Sequence, residues 1–431
     1  MTTKTLIRGG IVFSVDPEIG DLPRGDVLID GDKIAAVGVD LPVGDARVVD
    51  ATNRIVMPGL IDTHRHLWQA ALRQIAADWT LGQYIDHMLL DLGTRFTPED
   101  VYVADLLGAI EALDSGITTI MDWSHIMRSP DHADEAVRGL RESGIRAVFG
   151  YGNPLPPPAE WYTSDVQRVA SRHFSSRNDL LTFAIASNGP EFGPFEDTVT
   201  DLKLARELGV RTSMHVGVGL LGEKRAVTEL DRQGLLGPDL IYIHANTCTD
   251  DEYRRIADSG GHVSISPRIE MQMGHGYPAT GRLCAAGIQP SLSIDIVSGV
   301  GGSLFAEMRG TLEAERGWQN HRALSEGRSL SELSITARDV VRMATIEGAR
   351  TLGLADKVGS LTPGKQADII LLDIDLPNVS LVNNLPAVVT LADNQNVDTV
   401  YVAGAPVKAA GRILSHDMRR VRRLAVESRD R

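Results

Sequence analysis

Cysteine is nearly absent: Cys248 and Cys284 are the only two in 431 residues, and neither lies in a CxxC or CxxH pattern. A zinc knot and a closely spaced redox pair are thereby excluded, and two reduced thiols in a cytoplasmic protein are expected. Long apolar runs are missing as well, with nothing approaching the roughly 18–20 consecutive residues that a membrane helix needs. The N-terminal MTTKTLIRGGIVFSV lacks a basic segment followed by an apolar stretch and a small-residue cleavage site. It reads as a first β-strand rather than an export signal. A basic balance is also lacking. With 57 acidic against 43 basic residues the formal charge is −14, which repels nucleic acid and anionic membranes at long range, so neither is an expected partner. The local exception, Arg419, Arg420, Arg422 and Arg423, reads as a solvated terminal helix rather than a phosphate-binding tail. Internal repeats and low-complexity tracts are missing too.

What is present divides into three parts. The first fifty-odd residues read as short strands, TLIRGGIVFSV, DVLIDGDKIAAVG and ARVVDATNRIVMPG, punctuated by Gly10, Asp30-Gly31 and Asn53. A matching β-rich stretch returns near the other end in KQADIILLD, VDTVYVAGAPV and a short strand around Arg412 to Leu414. Neither piece has enough strands to stand alone, so the two are expected to pair into one small sandwich. Between them, nearly continuous apolar strands alternate with helix-length amphipathic stretches, the pattern of βα units whose sheet is buried on both faces. Eight strand candidates occur: PGLIDTH, ITTIMD, IRAVFG, LTFAIAS, VRTSMHV, LIYIHA, HVSISP and PSLSID. The expected fold is therefore a (β/α)₈ TIM-type barrel over 58–357, flanked by sandwich halves at 1–57 and 358–415 and a terminal helix over 416–431. Its active site would lie at the C-terminal ends of the strands.

Polar residues fit for chemistry do fall at those ends. Strand one closes on Asp62-Thr63-His64-Arg65-His66, strand two on Asp122, strand five on His215, strand six on His244 and strand eight on Asp295. In an extended segment residues i and i+2 share a side, so His64 and His66 can converge on one ion. Adding His215 and the Asp295 carboxylate gives a mixed nitrogen and oxygen set suited to one divalent metal. Zinc is the first choice, with iron or cobalt as alternatives. Such a metal lowers the pKa of bound water to about 7.

With these residues in view, MPGLIDTHRH resembles the PGxIDxHxH signature of the amidohydrolase superfamily, and GKQADIILLD is similar to its GxxADxxxxD signature. The likeness spans nearly the whole chain. It implies that His64, His66, His215 and Asp295 are the metal ligands of the mononuclear branch, which includes cytosine, adenosylhomocysteine and guanine-type deaminases and triazine chlorohydrolases. Strand four ends in IASNGPEF, without the lysine whose carbamate would bridge two metals. The resemblance further implies that His244 hydrogen-bonds the attacked atom or the water, and that Asp295 doubles as a base. A homodimer or larger homo-oligomer acting on a small molecule is expected by the same analogy.

One position departs from the pattern. Deaminases of the branch carry HxxE on strand five, whereas this chain reads His215-Val216-Gly217-Val218. Valine can neither give nor take a proton, so ring deamination by the usual route loses its shuttle. Glu223, Glu270 and His275 are candidate substitutes, although Glu270 could equally pair with Arg268. Asp122, Trp123 and His125 after strand two form another candidate group. The loop after strand one carries Trp68, Gln69, Arg73 and Trp79, where the tryptophans either stack a flat substrate or pack the loop onto the barrel. The proline-rich GNPLPPPAEW after strand three is read as a stiff rim without chemistry. The expected activity is hydrolysis of a carbon–nitrogen or carbon–halogen bond in a small cyclic or aromatic compound. A metal-dependent decarboxylase and a metal-binding protein without turnover are the alternatives.

Overall fold

The structure is a computed structural model that describes residues 4–155, 161–176 and 179–431. Residues 1–3 of the segment read as a first strand, residues 156–160 of the proline-rich stretch and residues 177–178 lie outside the described residues. Five strands precede the barrel: β1 (Lys4–Phe13), β2 (Asp21–Asp30), β3 (Lys33–Gly38), β4 (Arg47–Asp50) and β5 (Arg54–Pro58). Eight follow as one parallel sheet: β6 (Leu60–Arg65), β7 (Ile117–Ser124), β8 (Arg146–Gly152), β9 (Leu181–Ser187), β10 (Arg211–Val216), β11 (Leu240–His244), β12 (His262–Ile265) and β13 (Ser291–Leu292). The remaining four are β14 (Ile369–Asp373), β15 (Val397–Val402), β16 (Ala405–Ala409) and β17 (Arg412–Ile413).

Each of the eight apolar runs read from the sequence forms its strand, and sequential neighbours pair in parallel from β6 to β13. The last strand is only two residues long, and side chains complete its seam with the first. Thr63 Oγ1 lies 2.7 Å from Ser264 Oγ and 2.9 Å from Ser291 Oγ, and it donates to the Leu292 carbonyl at 3.0 Å. Above this hydroxyl seam, Asp295 N–H donates to the His64 carbonyl at 3.0 Å and His66 N–H donates to the Asp295 carbonyl at 2.8 Å. These two bonds close the barrel at its C-terminal end. Along the strands successive residues serve different layers, as the period of two requires. Ile120, Phe149, Ile185 and Tyr242 join the large apolar cluster, while Met121, Val148, Ala184, Ile241 and Ile243 form a separate cluster with Leu352 and Leu354.

The chain ends build one nine-stranded sheet in which β5 pairs with both β1 and β14. Its own core includes Ile7, Val27, Val56, Ile369 and Leu371. Gly10 does not break β1. It sits between two register shifts in the pairing with β2, as at a bulge, and the strand runs on to Phe13. The arginine-rich terminus forms the helix Met418–Asp430, which buries Val421 beside Tyr102, Leu106 and Ile110 of the helix Pro98–Asp114. Arg420 donates to Glu142 at 2.7 Å, so that part of the basic cluster is engaged within the chain. Among the described residues no helix is long and apolar enough to cross a membrane.

Candidate metal centre and active-site cleft

At the C-terminal mouth of the barrel, His64, His66 and Asp295 bring one ligand atom each to within 4.8 Å of one another, as do His64, His215 and His244. Asp295 Oδ1 stands 3.2 Å from His64 Nε2 and 3.3 Å from His66 Nε2. The His66 ring is held from behind, with Nδ1 2.7 Å from the Trp123 carbonyl, which leaves Nε2 turned to the centre. His64 Nδ1 is buried without a partner, and its Nε2 has only the Asp295 carboxylate oxygen at 3.2 Å beside it. Orphaned imidazole nitrogens of this kind are what a divalent ion would satisfy. Burial pushes His64 down to about 3 and holds His215 and His125 well below the ordinary histidine value, so all three are neutral and able to ligate or accept. Burial opposes the charge of Asp295. Hydrogen bonds to His64 and His66 outweigh it and keep the carboxylate well below the usual range.

Two of the central residues occupy backbone conformations that side chains rarely adopt. His244 has φ 72° and Asp295 has φ 68°, the left-handed region, which costs a non-glycine residue free energy and recurs at functional sites. The turn aims each side chain inward, His244 from the last residue of β11 and Asp295 from just beyond β13. His244 is steadied by Glu270, whose Oε1 lies 3.1 Å from Nδ1, while Nε2 stands 3.6 Å from Asp295 Oδ2. Burial disfavours the imidazolium there, but Glu270 and Asp295 together raise the His244 pKa above its ordinary value.

The centre opens into a cleft. His66, Trp123, His125, His215, His244, His275 and Asp295 line its inner end, and Val218 lies in its wall. Val218 is placed by the turn at Gly217, where φ is +64° and a Cβ would meet Cys248 Sγ at 2.8 Å. The adjacent carboxylate, Glu191, accepts from the backbone N–H groups of Gly217 and Val218 at 2.5 and 3.1 Å. It is therefore engaged in holding the turn.

Several residues singled out in the sequence stand elsewhere. Arg268 is not brought to the cleft: it pairs with Glu307 at 3.5 Å on the other side of its helix. Glu270 shares that helix, Pro267–Met273, and sits behind His244 rather than in the cleft lining. Trp79 packs against His87, with ring centroids 5.2 Å apart, and does not line the cleft. Trp68 is buried behind His125, to which its Nε1 donates at 3.3 Å. Gln69 donates to the Tyr84 hydroxyl at 2.5 Å and accepts from Ser298 at 2.6 Å, so it positions the wall without forming it. Asp122 accepts from Leu67 N–H at 3.3 Å, and burial raises it to about 7. Glu223 is exposed. His125 and His275 do line the cleft. Sequence reasoning missed Tyr84, Ile85, Leu89, Asn188, Phe192 and Ile296 as lining residues. Apart from Asn188 they are apolar or aromatic residues in segments that follow strands, a signal shared with ordinary packing.

An eight-stranded barrel that carries histidines and a carboxylate at its strand ends defines the class of TIM-barrel metal-dependent hydrolases. The profile of the Amidohydrolase family matches residues 55–407, and the chain belongs to that family. It is accordingly an enzyme, a hydrolase. The 5-methylthioadenosine/S-adenosylhomocysteine deaminase of Symbiobacterium thermophilum is 30% identical over 403 residues, covering 88% of this chain and 87% of the relative. The solved adenosine deaminase of Xanthomonas campestris with bound zinc superposes with a TM-score of 0.87 at 23% identity, covering 99% of this chain and 98% of its own. The atrazine chlorohydrolase of Arthrobacter aurescens TC1, complexed with zinc, gives a TM-score of 0.86 at 23% identity, covering 99% of this chain and 100% of its own.

Proposed function

We propose that the chain is a hydrolase using one divalent metal, zinc first, to cleave a carbon–nitrogen or carbon–halogen bond of a small cyclic or aromatic compound. The observation that carries this reading is the meeting of two ligand groups that share His64, one with His66 and Asp295 and one with His215 and His244, beside a cleft that His66, His215 and Asp295 line. The donor set fits the ion: three imidazoles, one ionised carboxylate and a His64 ring whose Nδ1 has no partner. A bound divalent metal supplies Lewis acidity and a nucleophilic water at neutral pH.

The chain's own residues do the rest. Asp295 is ionised and accepts a proton at a carboxylate oxygen. His244, held by Glu270, donates a hydrogen bond toward the atom under attack and stabilises charge that develops there. The Trp123 carbonyl keeps His66 in one orientation, and the apolar walls exclude bulk water, which strengthens these interactions. Val218 offers no proton to a ring nitrogen, and Glu191 is occupied by backbone amides. This favours a leaving group that departs with little protonation, such as a halide or a stabilised amide nitrogen. The deaminase named among the relatives supports the carbon–nitrogen alternative. Cys248 and Cys284, both free, fit a cytoplasmic setting.

The test pairs elemental analysis with turnover. Wild-type protein is expected to hold one equivalent of zinc and to hydrolyse at least one member of a panel of halogenated and amino heterocycles, lactams and ureas. His215→Ala is expected to lose most of the metal and the activity with it. Unchanged zinc content in that variant would overturn the ligand assignment.

A further inference from the structure

Around the metal centre the cleft is built from apolar side chains delivered by separate segments. Tyr84, Ile85 and Leu89 come from the helical stretch after β6, Phe192 from the turn after β9, and Met273 and Ile296 from beyond β12 and β13. Residues Ile85–Leu92 of that first stretch are wound as a π-helix, an uncommon winding that recurs at functional sites. Among the described residues that line the cleft, Asp295 is the one carboxylate, and no lysine or arginine is present. Basic side chains close by in sequence are engaged elsewhere. Arg128 donates to the carbonyls of Gly93 and Leu155, both at 3.0 Å, and Lys224 donates to the Glu191 carbonyl at 2.6 Å.

We propose that this cleft selects an uncharged, largely apolar cyclic compound and discriminates against carboxylate, phosphate, amino-acid and ribose appendages, with Leu81–Leu92 as its specificity wall. The inference rests on the hydrolase reading above and deepens it. A charged appendage would lose its hydration against these walls without an opposite charge to meet it, and each ribose hydroxyl would need a hydrogen-bond partner. The cleft has few to give. His275 is one: both ring nitrogens lack partners, and the ring is 3% exposed. It can bond one ring heteroatom of a bound substrate and so fix its orientation. Asn188, which lines the same space, is another. Val218 adds an apolar patch where a carboxylate would have favoured a polar ring edge.

The experiment uses zinc-loaded protein and three probes: 2-chloroquinoxaline, its 6-carboxylate and adenosine. Dissociation constants are measured by calorimetry, with chloride and ammonia release followed in parallel. In the chloride-releasing reaction the oxygen of water bonds to the ring carbon and the C–Cl electron pair leaves on chloride. One proton passes to solvent, so 2-chloroquinoxaline and water yield quinoxalin-2-one, chloride and a proton. The neutral probe is expected to bind at least about tenfold more tightly than either polar one. Ile85→Lys, at a half-exposed position, is expected to remove that preference over the carboxylate. Equal or tighter binding of the carboxylate or of adenosine, or no saturable binding of 2-chloroquinoxaline, overturns the inference. Ammonia release from adenosine with no preference for the neutral probe would overturn it while leaving the hydrolase reading intact. Selective binding of 2-chloroquinoxaline without chloride release would support the selectivity and remove the carbon–halogen alternative.

Discussion

Asp295 holds His64 twice: its backbone N–H donates to the His64 carbonyl at 3.0 Å, and its Oδ1 lies 3.2 Å from His64 Nε2. A bond that closes the barrel thus also brings two of the proposed ligands together. Asp295→Asn keeps the backbone bond and the side-chain volume while removing the charge. The expected result is an unfolding midpoint close to wild type, reduced zinc content, and turnover lowered by about 100-fold or more. Thermal melts, elemental analysis and steady-state rates check this together. Full metal and full rate in the variant would show that the charge of Asp295 is dispensable.

Glu270 acts through His244 and is a positioning residue. Its carboxylate also accepts from Ser266 N–H at 2.6 Å and from Asn246 at 3.0 Å, which fixes it in place. Glu270→Gln keeps the shape but weakens the hydrogen bond that favours a protonated His244. The expected outcome is kcat lower by about 10- to 100-fold with KM little changed, and a kcat profile whose basic limb moves to lower pH. The sign follows from the raised His244 pKa: the proton that Glu270 helps to hold is lost earlier once the carboxylate is gone. A purely structural role would instead lower stability and leave the pH profile unmoved.

Much of this arrangement is legible in the sequence because it follows from periodicity. The run LTFAIAS becomes β9 at Leu181–Ser187 without a residue's difference, and His215 falls at the inward position after Ser213, as alternation requires. The left-handed turns at His244 and Asp295 left no such trace. Positive φ is announced by glycine or asparagine, and neither stands at those positions. The sequence allows Glu270 to pair with Arg268, and the structure separates them. Residues two apart on a helix do not share a face, so one turns to His244 and the other to Glu307. The wall of Tyr84, Ile85 and Leu89 was hidden for a different reason. Apolar residues on a loop look alike whether they meet substrate or core.

Val218→Glu restores the HxxE spacing in a wall that is 1% exposed. Burial will raise the pKa of the new carboxyl, which suits it to carry a proton at neutral pH. Ammonia release from amino heterocycles is expected to appear or to rise, while affinity for neutral apolar ligands falls. The enzyme-coupled ammonia assay reads the first and calorimetry the second. No gain on any amino heterocycle would mean that the remainder of the cleft, rather than position 218, sets the chemistry.

Glu307 tests the barrel's energetics away from the metal. It is fully buried, and burial pushes it up to about 8 from the ordinary glutamate value of 4.5, despite the nearby Arg268. Between those two values the folded chain keeps a proton that the unfolded chain has released, so stability falls as pH rises through that window and levels off above it. Glu307→Gln is neutral throughout and escapes the penalty. Its stability relative to wild type is expected to improve between about pH 5 and about pH 8, by roughly 1–3 kcal/mol, the scale of a buried group without its full set of partners. Parallel urea titrations of both proteins at the two pH values give the difference directly. A difference that does not change with pH would show that Glu307 is ionised in the folded state and that Arg268 compensates its burial.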